Sequence, residues 1–388
     1  KRYEEHKQYL HALDSYRKSG NFDAALRVIR KDAGILLASL KADDVLNFLS
    51  KCPKEDLEAH PLSILVLMRC MFNWRKIQEM LKLKDFTIEY LDNPMGIDVE
   101  RPRFSWKLAS DKKDIVQKTY HIVVKNKEKE VWNSGVIESE QSICVKYDGE
   151  ALEARTIYDV LVEACDNQQE SATASGSFET GLMQYNNMEG SWITHGFEDT
   201  LEAPAVFKKK FNIRGQVERA RVYASALGIY EFEINGQAGS DIHFAPGWTS
   251  YQENLQYQTY DITNLLQEDN EIVFTVGNGW YKGILGFFNQ GNHYGNRTAL
   301  IAQIEVTYTN GEVERICTDA SWISTTGEIR YSELYHGEII DKTIARQEEK
   351  PAVFYPHTKE ILKAQIDEAV RITQRIKGQK RIITPKQE

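Results

Sequence analysis

Apolar residues recur at three- and four-residue steps over the first eighty positions, and at every second position after that. Tyr9, Leu10, Leu13 and Tyr16 mark one helix, and Ser19-Gly20-Asn21 breaks it. Phe22, Ala25, Leu26, Val28 and Ile29 mark a second. Val45, Leu46, Phe48 and Leu49 mark a third, with Asp43 or Asp44 placed to cap its start and Pro53 to end it. His60-Pro61 opens a fourth, because proline is tolerated in a first turn, and Leu62, Leu65, Met68 and Phe72 then share one face. This spacing predicts a short α-helical-repeat segment over residues 1–80. Such a unit needs stacked neighbours to complete its core.

From about residue 83 the period falls to two. Residues 120–124, 131–135, 142–147, 158–164 and 177–179 alternate between turn residues. Roughly seven strands in about 95 residues predict an immunoglobulin-like sandwich over 83–181, with Phe104 and Trp106 entering its core. Residues 207–211, 218–224, 228–234, 255–260, 271–277, 297–308 and 312–317 alternate in the same way. They predict a jelly-roll (galactose-binding-like) sandwich over 186–350, with Asn235-Gly236 and Asn310-Gly311 as hairpin turns. Residues 351–388 read as a linker, a short helix and a strand at 369–373 that starts a further, incomplete β-domain. The fold class is multidomain and mainly β. The run Met80-Leu81-Lys82-Leu83-Lys84-Asp85 would make a natural translation start, which places a fusion junction near Met80.

Composition narrows the function. With 388 residues there is room for two to four domains. The 48 Lys+Arg against 57 Asp+Glu give a net charge of -9, which argues against nucleic acid as a partner. No run reaches the roughly 18 apolar residues that a membrane helix needs, so no membrane partner is expected. Lys1-Arg2-Tyr3-Glu4-Glu5-His6 has no apolar stretch of a signal peptide, and a cytoplasmic location is expected. The five cysteines, at 52, 70, 144, 165 and 317, are odd in number and lack a CxxC. They read as reduced, buried thiols rather than a disulfide framework or a zinc site.

Residues 15–26, with Gly20 in the turn and Ala24-Ala25 after it, resemble the turn of a tetratricopeptide-type repeat. Residues 45–74, with Lys51-Cys52-Pro53 and His60-Pro61-Leu62, resemble the helical region of large LuxR-type transcriptional regulators. No P-loop or helix-turn-helix accompanies them, so this resemblance implies a regulatory or protein-interaction role and no activity.

A longer resemblance covers about residues 83–388. It rests on Asn93-Pro94-Met95-Gly96-Ile97-Asp98 with Pro102-Arg103-Phe104-Ser105-Trp106, and on Ala226-Leu227-Gly228-Ile229-Tyr230-Glu231 with Ile234-Asn235-Gly236. Ala245-Pro246-Gly247-Trp248-Thr249-Ser250-Tyr251, Gly277-Asn278-Gly279-Trp280-Tyr281-Lys282-Gly283 and Tyr335-His336-Gly337-Glu338-Ile339-Ile340-Asp341 follow in order. Together they resemble the N-terminal portion of the bacterial α-L-rhamnosidases of glycoside hydrolase family 78. In that family an immunoglobulin-like domain and a jelly roll precede a further β-domain and an (α/α)6 catalytic barrel. Nothing in this chain matches the barrel, so the resemblance implies a part without hydrolase activity. Its partners would be the catalytic domain and a rhamnose-containing carbohydrate. A purely structural scaffold is the alternative.

Sugar rings present an apolar C–H face and a rim of hydroxyls, so their sites combine aromatic platforms with fixed polar groups. Trp248, Trp280, Tyr281 and Tyr294 are candidate platforms, and Asn278 and Asn296 candidate polar partners, most of them beside glycine-rich turns. Trp280 also fits a corner-packing core residue. Some jelly rolls of the resembled enzymes bind rhamnose through calcium, which implies Asn235 and Asp241 as candidate ligands here. Asn235 is equally a plain hairpin residue. Glu333, Glu338 and Asp341 form a carboxylate cluster, for which loop anchoring is preferred over catalysis. Glu231 and Glu233 read as a solvated strand face, and His243 and His336 as turn or surface residues.

Overall fold

Along the strand Ile229–Ile234, Tyr230, Phe232 and Ile234 are buried, while Glu231 and Glu233 between them face outward. Strands of this kind dominate the computed structural model, which describes residues 8–32, 42–68, 81–198, 200–286, 289–344 and 348–382. The chain divides into two units. One holds Lys1–Lys84 with Leu108–Thr119 and Ala164–Thr173, and the other holds the rest.

Among its described residues the helical segment has four helices at Tyr9–Lys18, Phe22–Asp32, Ala42–Lys51 and Lys54–Ala59, and a further helical run at 61–68. Gly20 takes a positive φ of 69° between the first two. Asn21 Oδ1 accepts the Ala24 N–H at 3.0 Å and so caps the second. Ala12, Leu13, Ala25, Leu26, Val28, Ile29, Phe48 and Leu67 form the core. Two expectations change. The helix Ala42–Lys51 already includes Asp43 and Asp44, so both stand in its first turn rather than before it. Leu62, Leu65 and Met68 are exposed, because Ser63 and Leu67 of the same run face the core instead. Phe72, Trp74, Cys70 and the junction at Met80 lie outside the described residues.

The immunoglobulin-like region has a three-stranded sheet and a five-stranded sheet. Arg103–Ala109 is central to the first, and Ile157–Asp166 lies within the second. Phe104, Trp106, Ile122, Val124, Tyr147, Tyr158, Val160 and Phe178 are buried, which matches the alternation in the sequence.

The jelly roll pairs a six-stranded with a seven-stranded sheet. Ala205–Asn212, Ile229–Ile234 and Asp269–Gly277 run side by side in the first, and Val217–Leu227, Leu255–Asp261 and Ala299–Tyr308 in the second. Val217–Leu227 is buried on both faces from Ala220 onward. One face, with Val222, Ala224 and Ala226, joins the core between the sheets. The other, with Tyr223 and Leu227, joins a second core with Trp192, Tyr251, Leu255, Tyr257 and Tyr281. Among the described residues after Lys350 there is no helix. Instead Val353–Phe354 and Leu362–Ala364 add strands to the seven-stranded sheet, and Val370 makes only an isolated bridge to His243. In the Asn235-Gly236 turn both residues have positive φ, whereas in the second turn only Gly311 does.

The two sandwiches meet through buried charges. Glu179 accepts three hydrogen bonds from Arg221, at 3.1, 3.1 and 2.8 Å. Arg221 also pairs with Asp261 at 2.9 Å, and Arg155 with Glu305 at 2.7 Å. Asp98 accepts the Tyr257 hydroxyl at 2.7 Å, the Met183 N–H at 2.7 Å and the Ala364 N–H at 3.0 Å. Among the described residues no helix is long and apolar enough to cross a membrane. Cys52, Cys144, Cys165 and Cys317 are free thiols, and of these only Cys52 is buried.

Candidate carbohydrate-binding site

The second core of the jelly roll opens onto the surface as an aromatic cluster. Its outer members are Phe244, Trp248, Trp280 and Tyr294, and Tyr251 and Tyr281 lie beneath them. Trp248 and Trp280 stack with ring centroids 6.2 Å apart and planes within 5°. Phe244 tilts against Trp280 at 6.0 Å. Trp248 is 56% exposed and Phe244 45%. Large exposed aromatics lose hydrophobic stabilisation unless a partner covers them, so this cluster is the candidate binding surface.

Two loops hold the cluster. In the first, Tyr230 N–H donates to Ala245 O at 2.8 Å, and Gln258 Nε2 donates to Pro246 O at 3.1 Å. Tyr251 Oη donates to Gly247 O at 2.7 Å. The loop between these anchors holds Phe244 at a φ of 61°, a conformation that costs a bulky residue free energy. Trp248 Nε1 donates to Tyr294 Oη at 3.2 Å, which fixes its indole.

The second loop is the helical turn Gly279–Lys282. Gly279 has a φ of 53°, and a Cβ there would come within 2.8 Å of Ile229 Cβ, so only glycine lets the turn sit this close to the strand. Trp280 then faces outward and is partly buried, while its neighbour Tyr281 points into the second core at 4% exposure. Burial pushes the Tyr281 hydroxyl well above its ordinary range. Tyr281 therefore offers no face to a sugar, contrary to the sequence expectation.

The polar candidates are placed differently from the reading above. Asn278 Nδ2 donates to Glu333 Oε1 at 2.8 Å, and Ile284 N–H donates to Glu333 Oε2 at 3.1 Å. Asn278 is thus committed to holding the turn. Glu333, buried to 9% exposure, is its anchor on the hairpin strand Ile329–Glu333. Asn296 is exposed. Glu338 accepts from Ser332, and Asp341 from Thr343, both on the exposed side of that hairpin. Phe244 was not legible as a site residue, although it directly precedes the Ala245-Pro246-Gly247-Trp248 motif.

Asn235 and Asp241 do not fit a calcium ion. Asn235 Nδ2 donates to Leu265 O and Asn270 Oδ1, and its Oδ1 accepts the Glu271 N–H. Both Asp241 oxygens accept from Arg371 Nε at 3.0 Å. Calcium needs six to eight oxygens, and these are already committed to the protein. Among the described residues no group of three His, Cys, Asp or Glu side chains could hold a metal ion. His243 pairs with Glu231 at 3.2 Å, and His336 with Tyr331 at 3.2 Å.

Comparison with known proteins agrees with this architecture. Residues 83–184 match the Rha78A-like N-terminal immunoglobulin domain, and residues 215–374 the α-L-rhamnosidase N-terminal domain. An α-L-rhamnosidase of Formosa agariphila is 31% identical over 278 residues, which are 66% of this chain and 30% of that protein. One of Streptomyces avermitilis is 43% identical over 127 residues, 32% of this chain and 12% of that protein. The crystal structure of the native α-L-rhamnosidase of Aspergillus terreus superposes with a TM-score of 0.68 at 30% identity, over 73% of this chain and 35% of that one. The chain spans about a third or less of the length of these relatives. Both matched regions begin at or after residue 83, where the strands begin. This chain carries the N-terminal domains of the α-L-rhamnosidases of glycoside hydrolase family 78.

Proposed function

We propose that residues 83–382 act as a non-catalytic, carbohydrate-binding part of an α-L-rhamnosidase and present rhamnose-containing glycans to its catalytic portion. The observation that carries this reading is the parallel pair of the exposed Trp248 and the half-buried Trp280, braced by Tyr294 and Phe244. Parallel indoles at the mouth of a jelly roll suit the C–H face of a sugar ring. Glycoside hydrolysis needs two carboxylates flanking the scissile bond, one of them protonated. Glu333 is instead tied to Asn278 and Ile284, which favours an anchoring role for it.

Calorimetric titration with L-rhamnose tests the proposal. Trp248→Ala and Trp280→Ala should each weaken binding about tenfold, equivalent to roughly 1.4 kcal/mol. Equal affinity in the parent chain and both variants would contradict it, and would leave the scaffold reading ahead.

A further inference from the structure

The loop that carries Phe244 and Trp248 is also held by a distant part of the chain. Beyond the edge strand Leu362–Ala364 the backbone crosses to this loop. Gln365 N–H donates to Tyr257 O at 3.1 Å where the crossing starts. Where it ends, the His243 N–H donates to Val370 O at 2.9 Å, and Arg371 Nε donates to both oxygens of Asp241 at 3.0 Å. Positions 241 and 243, just ahead of Phe244, are thus gripped from outside the loop. We infer that residues 365–371 are a strap that holds Phe244 against Trp280 and so sets the affinity of the aromatic site. The ligand rests on the carbohydrate reading above, while the strap rests on its own contacts.

Three observations carry it. First, Phe244 has a φ of 61°, which a bulky residue keeps only where its surroundings fix the backbone. On its C-terminal side Ala245 O accepts the Tyr230 N–H at 2.8 Å, and on its N-terminal side the strap fixes His243. With that side released, Phe244 can return to a negative φ and its ring can leave Trp280, now 6.0 Å away. Second, the crossing is tethered at both ends. The Ala364 N–H donates to Asp98 Oδ2 at 3.0 Å, so the strap cannot follow the loop outward. Third, the Arg371 and Asp241 side chains are 49% and 74% exposed. An exposed pair adds little to global stability, so its effect stays local. Ile242 packs on the core between the sheets, which keeps the base of the loop in place when the strap is cut. A platform fixed before the sugar arrives binds more tightly, because less ordering is left to binding.

The test uses the full chain, isotopically labelled, with L-rhamnose as the probe. In Arg371→Ala and in Asp241→Ala the His243 amide should exchange with solvent about tenfold faster than in the parent chain. The Trp280 indole signal should shift before any sugar is added, and the affinity for L-rhamnose should fall about threefold. The midpoint of chemical unfolding should stay at the parent value. The double variant should match either single one, because the two side chains make one contact. Arg371→Lys, which keeps the charge, should return the Trp280 signal toward its parent position. A His243 amide that exchanges at the parent rate in both single variants overturns the proposal, as does an unmoved Trp280 signal. If L-rhamnose moves no tryptophan signal in the parent chain while both variants still free His243 and shift Trp280, the carbohydrate reading fails and the strap stands. If the parent and both variants bind the sugar equally, the strap's control of affinity fails and the carbohydrate reading stands.

Discussion

Tyr257 donates its hydroxyl proton to Asp98 across the junction of the two sandwiches, at 2.7 Å. The same hydroxyl oxygen accepts the Leu182 N–H at 2.7 Å, so one phenol ties the jelly roll to the immunoglobulin-like domain and to the connection between them. Asp98 in turn covers the Ala364 N–H on the edge of the jelly-roll sheet. That edge is thereby closed to pairing with another strand.

Tyr257→Phe should therefore destabilise the chain by about 1.5–3 kcal/mol, the range for a hydrogen bond to a charged group. Tyr223→Phe is the control. Its hydroxyl is buried without a hydrogen-bond partner, so its removal should be neutral or slightly stabilising. Chemical denaturation of both variants checks the contrast, and equal losses would contradict the role given to Asp98.

Glu179 and Arg221 are both almost fully buried, with side chains 5% and 8% exposed. Glu179→Ala leaves the Arg221 guanidinium with only the half-exposed Asp261 as a charged partner. A loss of about 3–5 kcal/mol is expected on thermal or chemical unfolding. A change below roughly 0.5 kcal/mol would show that the junction is more hydrated than described.

Asp261 gives that junction a pH dependence. Burial pushes its carboxyl up, but the Thr263 hydroxyl and N–H and the Arg221 guanidinium outweigh this and hold it below the ordinary value of 3.8. A lowered carboxylate contributes stability that is complete above its unfolded value and is lost as pH falls through the folded one. The difference in melting temperature between the parent chain and Asp261→Asn should thus hold constant from pH 5 to 7 and shrink below about pH 4. A difference that grows on acidification would contradict this.

Burial, with Glu189 and Glu305 nearby, pushes the Cys317 thiol up to about 11. At pH 8 the reactive thiolate is then scarce. Alkylation of the native chain followed by mass spectrometry should leave Cys317 unmodified while denatured protein is labelled there. Equal rates in the two states would refute the environment described.

The sequence was readable where one strand face meets one core, as in Ile229–Ile234. It was least informative in Val217–Leu227 and Ala299–Tyr308, where both faces are buried against different cores and the contrast disappears. Trp280 and Tyr281 are adjacent in a helical turn, about 100° apart around its axis, so they differ in burial, and spacing alone cannot say which goes deeper. Glu333 anchors Asn278 from 55 positions away, a pairing that no local motif encodes. Asn235 and Asp241 looked available because Asn270 and Arg371, which occupy them, lie 35 and 130 positions away in the chain.

The central claim is that Trp248 and Trp280 form a sugar platform. It is tested most directly by following the indole N–H signals of the seven tryptophans during titration of the isotopically labelled chain with L-rhamnose. The signals of Trp248 and Trp280 should shift together and saturate, while those of the buried Trp106, Trp192 and Trp322 stay fixed. No movement of the Trp248 and Trp280 signals at saturating sugar would contradict the claim.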